Sequence, residues 1–189
     1  MSQPTLNLTN VTALIVDPDK HMLGIVSQIL RGLGLNRQFQ FATGKEAEEF
    51  HAKNIVDLCI FEAVLPDMSG YDLVKRIRQN PNQKLRFVPV MILTGYTQMR
   101  SVATARDCGA NLVVKKPVSA QTLFDHIAWM SRSDRPFVEV GDYVGPDRRF
   151  KSTGHPSGVS RRKTDQQAPA QPMIDVGNQD AGNTKPANV

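Results

Sequence analysis

Long apolar runs are missing from this chain. No stretch approaches the roughly 18–20 consecutive apolar residues of a membrane helix, and the opening "MSQPTLNLTN" lacks the basic and apolar regions of a secretory leader. The expectation is a cytoplasmic protein without membrane contact. Cysteine is scarce as well: Cys59 and Cys108 lie in apolar or helical patterns, without the spacing of a disulfide framework or a metal pair, and read as buried thiols. His21, His51, His126 and His155 share no ligand spacing, which argues against a histidine metal centre. Also absent are a glycine-rich phosphate loop, an internal repeat, and a helix-turn-helix pattern after residue 130, the last of which counts against a transcription factor.

What is present suits one globular domain with an appendage, in 189 residues of which 40% are hydrophobic and 22% charged. Up to about Met130, short apolar runs alternate with amphipathic segments. The strand candidates are "TALIV" (12–16), "FQFA" (39–42), "LCIF" (58–61), "PVMIL" (89–93) and "LVV" (112–114). Helical patterns fall between them. The first spans about Lys20 to Arg31 and stops at glycines, the second opens with Thr43 and Glu46 in capping-box spacing, and the third opens with Ser69 and Asp72. A fourth is expected near Met99 to Cys108, and a fifth after Pro117, capped by Ser119 and burying Leu123, Ile127 and Met130.

Five such βα units predict a flavodoxin-like α/β fold, a doubly wound five-stranded parallel sheet whose functional groups gather at the carboxyl ends of the strands. The chemistry-bearing residues stand at those ends. Asp17 and Asp19 follow the first strand, Glu62 closes the third, Thr94 the fourth and Lys116 the fifth. Carboxylates in such a group bind Mg²⁺, and a lysine and a hydroxyl pair with phosphoryl oxygens.

At this point the sequence resembles the receiver domain of bacterial two-component response regulators. The resemblance covers about residues 10–130 and rests on "ALIVDPD", "PDMSG", "ILTG" and "GANLVVKKP", in that order. It implies a phosphorelay signalling module rather than an enzyme. In the family an aspartate at the end of the third strand takes a phosphoryl group from a histidine kinase, two acids after the first strand help bind Mg²⁺, and a threonine and a lysine contact the phosphoryl oxygens. Thr94, Lys116 and Asp17 match. The phosphoacceptor position is Glu62, the second acidic position is Pro18 with Asp19 one step later, and the switch position, usually aromatic, is Val113.

Glutamate carries its carboxylate outward by about 1.5 Å, while catalytic geometry must hold within roughly 0.5 Å. In-line transfer to Glu62 is therefore expected to be slow or absent. The longer side chain also comes within reach of Lys116 and Thr94, resembling a permanently occupied switch. No cofactor is required on this reading; Asp17, Asp19 and Glu62 are the candidate ligands of a weakly held Mg²⁺. The expected function is that of a pseudo-receiver that binds signalling proteins: a histidine kinase, a phosphotransfer protein or a downstream target. The contact face expected from the family is the fourth helix, fifth strand and fifth helix, where Arg100, Arg106 and Lys115 supply positive charge; a homodimer is left open.

The domain is assigned to residues 10–131, with 132–189 as a basic, Gly/Pro-rich flexible tail that is largely disordered. "PFVEV" (136–140) is read as an added strand or a segment lying against the domain. Arg148, Arg149, Lys151, Arg161, Arg162 and Lys163 stand against Asp147 alone in residues 145–163, which makes this stretch +5, equal to the net charge of the whole chain. Clustered arginines pair with phosphates, so an anionic ligand at the tail is the associated expectation.

Three alternatives stand beside the pseudo-receiver. They are a receiver that still accepts a phosphoryl group, an arginine tail that binds nucleic acid or a cyclic dinucleotide, and a phosphatase resembling the haloacid dehalogenase superfamily. The last would use "IVDPD" as a nucleophile loop and "GDYVGPD", with Asp142 and Asp147, as a metal loop, but it leaves "PDMSG" unexplained.

Overall fold

A computed structural model describes residues 7–95, 107–133 and 135–147. Its centre is a parallel sheet of β1 (Thr12–Val16), β2 (Arg37–Phe41), β3 (Leu58–Glu62), β4 (Val90–Thr94) and β5 (Leu112–Lys115), in the spatial order β2-β1-β3-β4-β5. The helices are α1 (Lys20–Gly32), α2 (Gly44–His51), α3 (Gly70–Arg78), the short α4 (Gln83–Arg86) and α5 (Ala120–Arg132). This is the flavodoxin-like doubly wound order, which reverses direction between β1 and β3 and so opens a crevice at their carboxyl ends. No described helix is long and apolar enough to cross a membrane.

The strands read as unbroken apolar runs because both faces of the sheet are covered. Alternation sorts their side chains into two cores. Ala13, Ile15, Leu58, Ile60, Met91 and Leu93 pack toward α1 and α5, against Val26, Leu30, Leu123 and Ile127. Leu14, Val16, Cys59, Phe61, Val90 and Ile92 pack toward α2 and α3, against Ala47, Leu73, Val74 and Ile77. Both cysteines are buried free thiols, as their settings predicted. Edge strand β2 begins earlier than the expected "FQFA", because Arg37 registers with Thr12 at the start of β1. Its Phe39 and Phe41 stack on Phe50 of α2, with ring centroids 4.4 and 5.3 Å away.

The helix starts follow the predicted caps. Asp19 accepts from the His21 N–H, Thr43 from Glu46, Ser69 from Tyr71 and Ser119 from Thr122. In the capping pair at α2 the Thr43 hydroxyl also donates to the Glu46 carboxylate at 2.7 Å. Most of the helix expected near Met99 to Cys108, with Arg100 and Arg106, lies outside the described residues.

One expectation is overturned. The strand reading of "PFVEV" holds as β6 (Phe137–Val140), but from Gly141 to Asp147 the chain is not a flexible tail: β7 (Tyr143–Pro146) pairs back on β6 in an antiparallel hairpin folded against the domain. Its turn runs through Gly141 at φ +58°, a conformation glycine adopts without strain. Phe137 stacks on Phe87 at 5.1 Å, Glu139 pairs with Arg86 at 2.9 Å, and Gly145 meets Gly109 backbone to backbone. A Cβ on Gly145 would stand 2.7 Å from the Gly109 Cα, and one on Gly109 would stand 2.2 Å from the Val144 carbonyl oxygen. Composition hid β7, since the glycine that suggested a loose tail is what permits the close approach. The six basic residues of the expected tail site lie beyond the described residues.

Candidate functional site

Parallel pairing brings the strand ends into one row. Val16 registers with Phe61, Glu62 with Leu93, and Thr94 with Lys115, while the Lys116 N–H donates to the Thr94 carbonyl at 2.9 Å. Asp17, Glu62, Thr94 and Lys116 are thus gathered at one edge of the sheet. By alternation Glu62 continues the face of Leu58 and Ile60, which is apolar until the strand ends.

Lys116 lies between two carboxylates. Its Nζ is 2.5 Å from Asp17 Oδ2 and 2.5 Å from Glu62 Oε2, and the three side chains are only 14%, 8% and 10% exposed. Burial pulls the lysine's pKa down, but the hydrogen bonds and charges of Asp17 and Glu62 outweigh it and hold the ammonium above its usual range. The remaining carboxylate oxygens are engaged too. Glu62 Oε1 accepts from the Ala63 N–H at 2.7 Å and from Val64 at 3.3 Å, and Asp17 Oδ1 accepts from the Asp19 N–H at 2.9 Å.

Asp19 does not join this cluster. Its side chain is exposed and turned to the start of α1, where Oδ1 accepts the His21 N–H at 2.8 Å. Thr94 is buried at the end of β4, and Val113 is exposed on the outer strand. Among the described residues no group of three or more His, Cys, Asp or Glu could hold a metal ion.

The "PDMSG" loop secures the rim of the site. Gly70 is required there, since a Cβ would stand 2.1 Å from the Glu62 carbonyl oxygen; its N–H instead closes on Ala63 O at 2.9 Å. Asp67 grips the start of α2, accepting from Gly44 at 2.9 Å and Lys45 at 2.8 Å. The Gly44 hydrogen bond is the main reason its pKa lies below the usual carboxylate range. The role of Asp67 was not foreseen, although an aspartate facing a helix start across a loop is a recognisable anion-to-N-terminus pairing.

At the opposite end of the sheet lies a second buried cation that sequence reading missed. Arg78, 1% exposed, donates through Nε to Gly109 O at 3.0 Å, through Nη1 to Arg86 O at 2.6 Å and Val88 O at 2.7 Å, and through Nη2 to Asn111 Oδ1 at 3.2 Å. Its guanidinium also lies 5.0 Å from the Phe137 ring centroid, tying the hairpin to α3. Burial brings its pKa down to about 10, which leaves it charged at neutral pH.

A five-stranded doubly wound sheet with two acids, a buried hydroxyl residue and a lysine at its carboxyl edge defines a class of α/β signalling domain. The chain belongs to the response regulator receiver domain family, whose model matches residues 13–128. It is 32% identical over 114 residues to the chemotaxis protein CheY-3 of Vibrio cholerae, covering 60% of this chain and 86% of that protein. It is 32% identical over 127 residues to the response regulator protein PilR of Pseudomonas aeruginosa, covering 67% of this chain but 27% of the relative. Among solved structures, the chemotaxis protein CheY4 of Vibrio cholerae superposes with a TM-score of 0.58 at 26% identity, covering 62% of this chain and 96% of that one. The protein therefore carries a receiver domain of two-component signalling.

Proposed function

We propose that this domain is a pseudo-receiver: a non-enzymatic module that signals by binding partner proteins, without being phosphorylated. The carrying observation is that the Glu62 carboxylate already holds the donors that would serve an incoming anion, namely Lys116 Nζ and the N–H groups of Ala63 and Val64. A phosphoryl group would have to displace the side chain that should attack it.

The acids present do not fit a resident Mg²⁺. An ammonium lies between Asp17 and Glu62, Pro18 offers no oxygen ligand from its side chain, and Asp19 is committed to capping α1. Mg²⁺ demands near-octahedral oxygen geometry, which this arrangement does not supply. With the lysine satisfied internally, the site resembles a switch held in one position. The natural partners of such a module are a histidine kinase, a phosphotransfer protein or a downstream target. The phosphatase alternative loses its metal loop, because Asp142 and Asp147 belong to the hairpin region on the Gly109 side, away from Asp17.

The test is incubation of the purified protein with radiolabelled acetyl phosphate and Mg²⁺, following label on the protein and free phosphate released. Neither is expected above a protein-free control. Stable label would return the domain to phosphate acceptance, and sustained release without label would favour the phosphatase. In parallel, Glu62→Gln is expected to abolish capture of the partner while leaving the fold intact; unchanged capture would reduce Glu62 to a structural ion-pair residue.

A further inference from the structure

No described strand pairs with the outer edge of β2, which stands at the end of the strand order and is bonded to β1 alone. The Phe41 carbonyl accepts the Asp17 N–H at 3.1 Å, so Phe41 turns its backbone groups toward β1. By alternation along the strand Arg37 and Phe39 do the same, and Gln38 and Gln40 direct their N–H and C=O groups outward. The side chains of these two glutamines do not fold back over the edge. Gln38 Nε2 donates to Ser27 O at 3.2 Å and to Leu35 O at 2.6 Å, and Gln40 Nε2 donates to Ser27 Oγ at 3.0 Å, all on the α1 side of the sheet. On the α2 side Phe39 is 42% exposed even though it stacks on Phe50.

Exposed edge strands commonly carry a device against further pairing, such as a proline, a bulge or a charge in mid-strand. β2 has none of these: its register with β1 is unbroken, and its single charge, Arg37, is at the amino end. Its sequence, RQFQF, is instead complementary to its own reverse. When two copies run antiparallel about Phe39, Gln38 of each faces Gln40 of the other. Those are the residues whose backbone groups point outward, so each facing pair exchanges both of its hydrogen bonds. Phe39 then meets its own copy at the closely spaced, non-hydrogen-bonded position, with Cα atoms about 4.5 Å apart, where two exposed rings pack on each other. Each Arg37 lies across from a Phe41, a cation beside a ring and not beside a like charge.

We propose that two copies of this chain associate through β2, antiparallel about a two-fold axis at Phe39, to make one continuous sheet across the dimer. What selects a second copy over an unrelated extended peptide is the self-complementarity. Backbone direction and side-chain class agree in one register, and that register uses every residue of the strand. A two-fold contact of this kind consumes both exposed edges and closes on itself. Asp17, Glu62 and Lys116 stand at the carboxyl ends of β1, β3 and β5, away from the outer edge of β2. The pairing is therefore independent of whether Glu62 accepts a phosphoryl group.

The experiment is sedimentation velocity of the full-length protein over a concentration series reaching the millimolar range, on wild type, Phe39→Lys, Phe39→Glu and an equimolar mixture of the two variants. Wild type is expected to pass from monomer to dimer as concentration rises. Each variant alone sets two like charges against each other at the axis, and its dissociation constant should rise at least about tenfold. The mixture should recover the dimer, because Lys and Glu then face each other, a result that a merely unfolded variant could not give. In wild type, amide exchange at Gln38 and Gln40 should slow as the dimer forms. A wild type that stays monomeric throughout, or a dimer indifferent to both substitutions, would overturn the proposal. So would variants that fail to recover on mixing, or Gln38 and Gln40 amides whose exchange does not change with concentration.

Discussion

The two ends of the sheet each bury a cation, and they handle it in opposite ways. At the carboxyl end, Lys116 is neutralised by Asp17 and Glu62, groups that are themselves charged and titratable. At the other end, Arg78 is held by three backbone carbonyls, one side-chain amide and an aromatic face. Charged partners make a site whose balance changes with one proton or one competing anion. Neutral carbonyls cannot titrate, so the Arg78 cluster is a brace. On the function proposed above, the contrast separates a signalling site from scaffolding within one small domain, although both use a buried positive charge.

The widest test of that contrast is Arg78→Met. It takes the guanidinium donors away from three carbonyls and leaves the Asn111 oxygen to the Val90 N–H, and a loss of about 3–5 kcal/mol is expected in urea unfolding, with little dependence on salt. A loss below about 1 kcal/mol would show that the brace carries no load.

The next effect concerns His51, 2% exposed, whose Nε2 has no hydrogen-bond partner. Burial, and secondarily the charge of Arg78, lower its pKa to about 4. Between that value and the ordinary 6.5, the unfolded chain binds a proton that the folded one refuses. Stability attributable to this residue is therefore complete above pH 6.5 and falls as the pH drops toward 4, by about 3 kcal/mol. Unfolding curves at pH 7 and pH 4.5 should show the decline, and His51→Leu should remove that part of it. Equal slopes in both proteins would contradict the assignment.

Glu62→Gln should cost less, about 1 kcal/mol, because the amide keeps its shape and one oxygen while losing its charge. At the Lys116 end the pH dependence runs the other way. The raised lysine pKa gives stability that is fully present below the ordinary lysine value and lost as pH rises through the folded one. An alkaline unfolding series on wild type and Glu62→Gln would show whether the decline depends on that carboxylate. Smallest of all is Glu139→Ala, which removes a partly exposed pair with Arg86. It should shift stability by about 0.2–1 kcal/mol, an effect that salt erases. A larger loss would mean that the hairpin depends on this ion pair more than on Phe137 and the glycine contact.

The legible parts of the site share one property. Asp17, Glu62, Thr94 and Lys116 each follow an apolar run, and a parallel sheet necessarily places such positions in one row. Asp19 was grouped with them because it is also acidic and near a strand end. It could have been separated, since an aspartate directly before an amphipathic run is an N-cap pattern. Arg78 carried no comparable signal: within "VKRIRQN" it looks like one more solvated basic residue of α3. Its burial depends on Gly109, Asn111 and Phe137, which lie far along the chain and offer no periodic pattern. The return strand β7 was hidden for the same reason, because Gly145 is informative only once Gly109 is known to face it.

By itself, the sequence determined the alternation of strands and helices, their caps, the two-sided core and the row of residues at the strand ends. These follow from local periodicity and short-range hydrogen bonding, which act over a few residues and leave a readable pattern. Only the tertiary structure decided that Lys116 would divide its hydrogen bonds between Asp17 and Glu62, that Asp19 would cap α1 instead of joining them, and that a buried arginine would hold a C-terminal hairpin against the domain. Each of those outcomes depends on which desolvated donors and acceptors meet across long sequence separations, and burial makes such pairings obligatory only after the chain has closed on itself.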